Sequence, residues 1–194
     1  LMELGGNGPT VVLDDADPAR IAPAIASCCY YHAGQVCSST ERILVEHTLK
    51  ESLVEELLKL TSDVKQGDPW DKATTMGPQN NAAVVEEMKR HVADAVEKGA
   101  KVLTGGKPNA ELPGFFFEPT VLVDYSIDSL INKEESFGPL APVASFKDEE
   151  EAWEMIEACD LGLVSSVFTQ DLNRAFKWAE RMRSGISVVN DFTN

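Results

Sequence analysis

The chain predicts an α/β fold, a mainly parallel sheet flanked by helices. Two observations predict it. Short β-branched runs of strand length alternate with longer runs of helical period along the sequence, the pattern of a parallel sheet covered by helices. No internal repeat, low-complexity tract or linker interrupts that alternation, so the 194 residues read as one domain.

Met2 to Pro9 is a glycine-rich turn, and Thr10–Leu13 a short β-branched strand. Asp17 is placed to cap a helix with Pro18 in its first turn, a favoured start, and the helix runs to about Tyr31. Its inward face carries Ile21, Ile25 and Cys28/Cys29 at helical spacing. A polar loop through Cys37 leads to the strand Arg42–Val45, then to a helix over Leu49–Leu60 and a turn at Gly67-Asp68-Pro69. Asn81–Lys98 reads as a long helix with Val84, Val85, Met88, Val92, Ala95 and Val96 inward, ended by Gly99. Short strands follow at Lys101–Leu103 and Thr120–Val123, with the Gly105-Gly106 turn between them. Beyond a polar segment and the irregular stretch Glu134–Pro139 come the strand Pro142–Phe146 and the helix Asp148–Cys159. The acidic run Asp148 to Glu151 falls in that helix's first turn, where negative charge is favourable. The strand Ser165–Thr169, the helix Asp171–Arg183 and the strand Ile186–Asn190 complete the alternation, with Leu172, Ala175, Phe176, Ala179 and Met182 expected inward on that last helix.

Charge excludes several function classes. With 17 basic against 32 acidic residues the net charge is −15, which repels phosphate backbones and anionic lipids, so neither a nucleic-acid nor a membrane partner is expected. No apolar run approaches the roughly 20 residues of a membrane span, and no basic-then-apolar leader stands at the start. The four cysteines, Cys28, Cys29, Cys37 and Cys159, have no framework spacing, which suits a reducing, cytoplasmic setting. The chain opens at Leu1 in a turn and runs out at Asn194 just past a strand, so it is expected to be part of a longer polypeptide.

Three irregular stretches carry groups capable of chemistry. In Gly34-Gln35-Val36-Cys37 a thiol follows glycine in a loop between helix and strand. Position alone favours a packing cysteine, since free cysteine is among the most buried residue types. Glu3 and Glu135 each lie near glycine in irregular segments, where a carboxylate brought near Cys37 serves as a base; on residue type alone both are solvated surface charges. A metal site is the rival reading, with Cys28, Cys29, His32 and Cys37 as ligands, although no Cys-x-x-Cys pair is present. His32 otherwise reads as a helix-end residue, His47 and His91 as solvated, and Trp70, Trp153 and Trp178 as packing residues, with Phe115-Phe116-Phe117 plugging an edge of the core.

Taken in order, Glu3-Leu4-Gly5-Gly6, Gly34-Gln35-Val36-Cys37 and Glu135-Ser136-Phe137-Gly138-Pro139 resemble the signature of the aldehyde dehydrogenase superfamily. Asp14-Asp15-Ala16-Asp17, Met76-Gly77-Pro78, Gly105-Gly106-Lys107, Glu118-Pro119-Thr120 and Phe168-Thr169 match as well, so the resemblance spans essentially the whole chain and corresponds to the catalytic domain, residues 1–194. It implies the fold of that domain, NAD or NADP as cofactor, a small-molecule aldehyde substrate and a homodimer or homotetramer for the complete chain. It implies Cys37 as the nucleophile that forms a thiohemiacetal and then a thioester, with its backbone N–H as half of an oxyanion hole, and Glu3 as the base that activates the hydrolytic water. It places Glu135 on the nicotinamide ribose, Phe137 beside that end of the cofactor with Leu4 and Gly5, and Val36, Ser38, Asn190 and Phe192 around the substrate. Overall similarity leans towards small hydroxyaldehydes such as lactaldehyde or glycolaldehyde, or short semialdehydes, and the hydroxyls of Ser38, Ser39 and Thr40 suit a polar substrate. The family's dinucleotide-binding domain and closing oligomerisation segment have no counterpart within the 194 residues, so this stretch alone is expected to be inactive. A non-catalytic relative that keeps the fold as an interaction module is the other alternative; intact Glu3 and Cys37 argue against it.

Overall fold

The computed structural model describes Leu1 and residues 3–193; Met2 of the opening turn and Asn194 lie outside the described residues. Seven strands form one sheet: β1 (Gly8–Val12), β2 (Thr40–Glu46), β3 (Lys101–Thr104), β4 (Thr120–Val123), β5 (Leu140–Phe146), β6 (Val164–Phe168) and β7 (Ile186–Val189). Their spatial order is β3-β4-β5-β2-β1-β6-β7, and only the β3–β4 pairing is antiparallel. The helices are α1 (Pro18–Tyr30), α2 (Lys50–Ser62), α3 (Ala82–Glu97), α4 (Leu130–Lys133), α5 (Glu149–Glu157) and α6 (Leu172–Arg181).

Alternation along the strands splits the core into two layers. Val12, Ile43, Val45, Val121, Val123 and Val143 turn to the face covered by α1 and α2. Val11, Leu44, Leu122, Ala144 and Val167 turn to the face covered by α3, α5 and α6. Four helices, α1, α3, α5 and α6, begin at a side-chain cap. Asp17 accepts from the Ala19 N–H at 3.1 Å, Asn81 from Val84 at 3.1 Å, Asp148 from Glu151 at 3.0 Å and Asp171 from Asn173 at 2.8 Å. At α5 the Glu151 carboxylate returns to the Lys147 N–H at 2.7 Å, closing a reciprocal cap.

Several expectations need correction. On α6, Leu172 and Phe176 face solvent at 68% and 61% exposure, and the buried stripe is Ala175, Trp178 and Met182. Trp178 stacks on Trp153 with ring centroids 4.2 Å apart, and that pair sets the helix's rotation. Val96 is exposed at the end of α3. His91 is fully buried rather than solvated, because it lies one turn beyond Met88 on the inward face and donates from Nδ1 to the Glu87 carbonyl at 2.9 Å. Trp70 is exposed, in a turn where its backbone N–H donates to Asp68 Oδ1 at 2.9 Å. The short helix α4 sits where the sequence reads only as a polar segment. Among the described residues no helix is long and apolar enough to cross a membrane.

Candidate active site

Topology brings the three chemical stretches together. Each ends where a parallel strand begins: Glu3–Gly6 before β1, Gly34–Cys37 before β2, and Glu135–Pro139 before β5. In the sheet those strands are consecutive, β5-β2-β1, so their entering loops lie side by side about 5 Å apart. The assembly is therefore at the amino edge of the strands, opposite the edge where open α/β sheets usually bind ligands.

The thiol loop is held by backbone geometry. After α1 a 3₁₀ turn, Tyr31–Gly34, carries His32, Ala33 and Gly34 in the left-handed region, with φ of 52°, 57° and 74°. Gly34 is required twice over, for that φ and because a Cβ there would stand 2.0 Å from the Gly138 carbonyl oxygen. Gln79 Nε2 donates to the Ala33 carbonyl at 3.0 Å, and the Asn80 N–H donates to Gln35 Oε1 at 2.8 Å. A tight turn then closes from the Ser39 N–H to the Val36 carbonyl at 2.9 Å, with Cys37 at its outer corner. Cys37 is exposed, whereas Cys28, Cys29 and Cys159 are buried. Among the described residues nothing accepts from the Cys37 backbone N–H, which leaves that donor available to an oxyanion beside the sulfur.

The Glu3 strip touches both other stretches. A Cβ on Gly6 would stand 2.4 Å from the Cys37 carbonyl oxygen, and one on Gly5 would stand 2.7 Å from Glu135 Oε2. The Gly6 N–H donates to Glu135 Oε1 at 2.9 Å. Asn7 Nδ2 bonds the carbonyls of Ile131 at 3.1 Å and Glu134 at 2.8 Å. Partial burial raises the Glu135 carboxyl above the usual range, against the pull of the Gly6 N–H. Glu3 and Leu4 are exposed, Val36, Ser38 and Phe137 half-buried. Phe137 adopts a left-handed φ of 53°, and with Glu135 it lines a shallow cleft closed by Asn81, Val84 and Glu87 at the start of α3.

Two site-organising residues escape the sequence reading. Glu41 and Arg42, both buried, directly follow the thiol turn. Glu41 accepts from the Ser136 N–H at 3.1 Å, the Ser136 hydroxyl at 2.6 Å and the Phe137 N–H at 3.2 Å. Arg42 donates to the Asn7 carbonyl at 3.1 and 3.3 Å, to the carbonyls of Met155 at 3.0 Å and Ile156 at 3.4 Å, and to Asn132 Oδ1 at 3.4 Å. Adjacent residues on opposite faces thus fasten the Glu135 loop and the Glu3 strip to one thiol turn. The available signal was a charge pair opening a run that then buries both faces, where no solvated charge has room.

Other expected residues lie elsewhere. The Ser39 hydroxyl donates to the Gly34 carbonyl at 3.4 Å and the Thr40 hydroxyl pairs with Thr10 at 2.8 Å, so of the three loop hydroxyls these two turn inward. Asn190 sits at the carboxyl edge, its side chain bonded to the Thr169 N–H at 3.0 Å and carbonyl at 2.8 Å. Beyond it the chain turns back: Phe192 is half-exposed, and the Thr193 N–H meets Cys28 Sγ at 3.3 Å in the last turn of α1. The metal alternative fails on geometry. Among the described residues the group whose ligand atoms converge is Glu87, His91 and Glu134, not the cysteines with His32.

Comparison with known proteins bears on the whole chain. A family model described as "Aldehyde dehydrogenase family" matches residues 1–194. A glutarate-semialdehyde dehydrogenase of Pseudomonas aeruginosa is 42% identical over 190 residues, 97% of this chain and 39% of that protein. A succinate-semialdehyde dehydrogenase [NADP(+)] of Escherichia coli is 38% identical over 189 residues, again 97% of this chain and 39% of that protein. The crystal structure of lactaldehyde dehydrogenase from Escherichia coli superposes with a TM-score of 0.93 at 38% identity, covering 98% of this chain and 40% of that one. The chain thus spans about two fifths of the length of the relatives it matches.

Proposed function

Because the chain belongs to the aldehyde dehydrogenase family, we propose that it is the catalytic part of an NAD- or NADP-dependent enzyme oxidising a small polar aldehyde to the carboxylic acid. The observation that carries this reading is the meeting at Gly5-Gly6 of an exposed thiol turn and a carboxylate-bearing loop. Relatives named for glutarate semialdehyde, succinate semialdehyde and lactaldehyde support a short substrate with a second polar group.

In the proposed mechanism the Cys37 thiol loses its proton to solvent, Sγ bonds to the carbonyl carbon as the C=O π pair moves to oxygen, and the new alkoxide takes the Cys37 N–H as donor. The dinucleotide supplies the acceptor for the hydride whose loss turns this adduct into a thioester. Glu3 then takes a proton from water as its oxygen attacks the thioester carbon. The C–S bond breaks, the acid departs and Glu3 returns its proton to the leaving sulfur, restoring the Cys37 thiol. The residues fit the nicotinamide–ribose end of such a cofactor: Gly5, lacking a Cβ, leaves Glu135 Oε2 open as an acceptor for a sugar hydroxyl, and the half-buried Phe137 offers an apolar surface beside it. No glycine-rich phosphate cradle occurs in residues 1–194, so we propose that the complete polypeptide turns over, as a homo-oligomer, and this stretch alone does not.

Assay of the complete polypeptide tests the reading. Cys37→Ala is expected to lower kcat by at least about a thousandfold. Glu3→Gln is expected to keep one rapid burst of reduced nicotinamide per site and then stall, because the thioester forms but is not hydrolysed. A Cys37→Ala enzyme that oxidises aldehydes at the wild-type rate would overturn the mechanism.

A further inference from the structure

The buried carboxylate of Glu41 touches neither the thiol nor the cleft beside Glu135, yet it binds the residues immediately after Glu135. Its place is not an accident of strand pairing. Gly8 faces Thr40 and Pro9 faces Arg42, so the register of β1 on β2 slips and Glu41 is left as the extra residue of a bulge. Bulges re-aim side chains and are common beside active sites. Here the bulge points Glu41 into the loop before β5, where its two oxygens accept from two successive backbone N–H groups and one hydroxyl. Those N–H groups belong to Ser136 and to Phe137, whose left-handed φ of 53° is unfavourable for a bulky side chain without outside support.

We propose that Glu41 is a positioning residue: it holds the Ser136–Phe137 turn and so aims Glu135 at Gly5-Gly6 and at the cofactor. The inference rests on the function proposed above, since it takes Glu135 to be the cofactor-facing carboxylate. The titratable groups around Glu41 are Glu135 on the same loop, Cys29 from α1 and the adjacent Arg42. Burial, opposed by the three hydrogen bonds and reinforced by Glu135, pushes the Glu41 carboxyl up to about 7. Hydrogen bonds to a carboxylate are roughly twice as strong as those to its neutral form. These three bonds tie Ser136 and Phe137 to the start of β2.

Two measurements on the complete polypeptide test this. Amide hydrogen exchange without cofactor is expected to show the 136–137 amides about tenfold less protected in Glu41→Gln than in the wild type, with the amides of β6 unchanged as a control for folding. The same variant, which sets an amide N–H against backbone donors, is expected to raise KM for the dinucleotide about tenfold with KM for the aldehyde within twofold. Ser136→Ala, which removes one of the three donors, is expected to shift the same quantities part of the way. Equal 136–137 protection in the wild type and in a folded Glu41→Gln or Ser136→Ala variant overturns the proposal. So does a Glu41→Gln enzyme with an unchanged dinucleotide KM. Failure of the enzymatic reading looks different: the exchange pattern persists, but no aldehyde reduces the nicotinamide.

Discussion

Two carboxylates at opposite edges of the sheet hold the same set of donors and titrate in opposite directions. At the amino edge Glu41 accepts from two backbone N–H groups and one hydroxyl. At the carboxyl edge Asp15 accepts from the Thr169 hydroxyl at 2.8 Å and the N–H groups of Gln170 at 2.8 Å and Asp171 at 3.1 Å. Burial pushes Glu41 up to about 7 in spite of its donors. Burial also acts upward on Asp15, but the Thr169 and Gln170 bonds together with the Arg174 charge outweigh it, and Asp15 lies below its usual value. The Asp15 side chain keeps 29% of its exposure and has Arg174 at 3.8 Å, whereas Glu41 is 5% exposed. A count of hydrogen bonds would rank the two sites as equal; solvent and a neighbouring cation separate them. At the carboxyl edge, where an open α/β sheet ordinarily places its ligand, a cleft lies between the start of α1 and the 168–170 turn that Asp15 ties down, whereas the exposed thiol stands at the other edge.

The largest expected effect concerns stability against pH at Glu41. Its folded pKa lies above the ordinary glutamate value of 4.5, so between about 4.5 and 7 the native state keeps a proton that the unfolded chain has lost. Its contribution to stability is full below about 4.5 and is lost as pH rises through about 7. Relative to Glu41→Gln, the wild type should lose up to about 3 kcal/mol over that window, read from urea unfolding at pH 4.5, 6 and 8. A constant difference across the three pH values would break the comparison. The fold is thus most stable when Glu41 is neutral, and keeping an ionisable group buried there is the cost expected where a residue serves function before stability.

Asp15 should behave with the opposite sign and a smaller amplitude. Its depressed pKa contributes stability that is present above the usual 3.8 and is lost as pH falls through the folded value. Asp15→Asn is expected to cost about 1–2 kcal/mol at pH 7, measured by chemical unfolding, with kcat/KM within twofold of wild type because no chemical stretch reaches that edge. A tenfold loss of kcat/KM would show that the two edges are coupled.

How far the sequence reveals this contrast depends on the range of the interactions. Strands, helices and caps follow from local pattern, and the seven-strand alternation is visible in the β-branched runs of β1, β4 and β6. The three motif stretches are legible as order along the chain. Their convergence is not, because it follows from the sheet order β5-β2-β1, which no local pattern states. Glu41 was missed because its partners lie 95 and 96 residues away. The inward face of α6 was misjudged because Leu172 and Phe176 are apolar at helical spacing, yet Trp178, stacked on Trp153 beneath the Arg181 guanidinium, decides the helix's rotation. His91 shows the same limit: a polar type on an inward position has its fate settled by what packs against it.

The smallest effect gives the sharpest test of what separates the two carboxylates. Arg174 is shared among Asp14 at 2.6 Å, Asp15 at 3.8 Å and Glu149 at 3.5 Å, and it remains part-exposed. Pairs of this kind contribute about 0–1 kcal/mol and are screened by salt. Arg174→Met should therefore raise the Asp15 carboxyl only modestly, followed by NMR titration, and should cost less than about 1 kcal/mol at pH 7, a cost that shrinks towards zero in 1 M salt. The Thr169 and Gln170 bonds would still hold Asp15 within the carboxylate range, far from the value burial gives Glu41. If Arg174→Met instead carried Asp15 up to the neighbourhood of Glu41, the cation rather than exposure to water would be what distinguishes the two edges. The pH dependence of stability at Glu41 would then be expected to disappear on placing a single positive charge beside it, with its burial left intact.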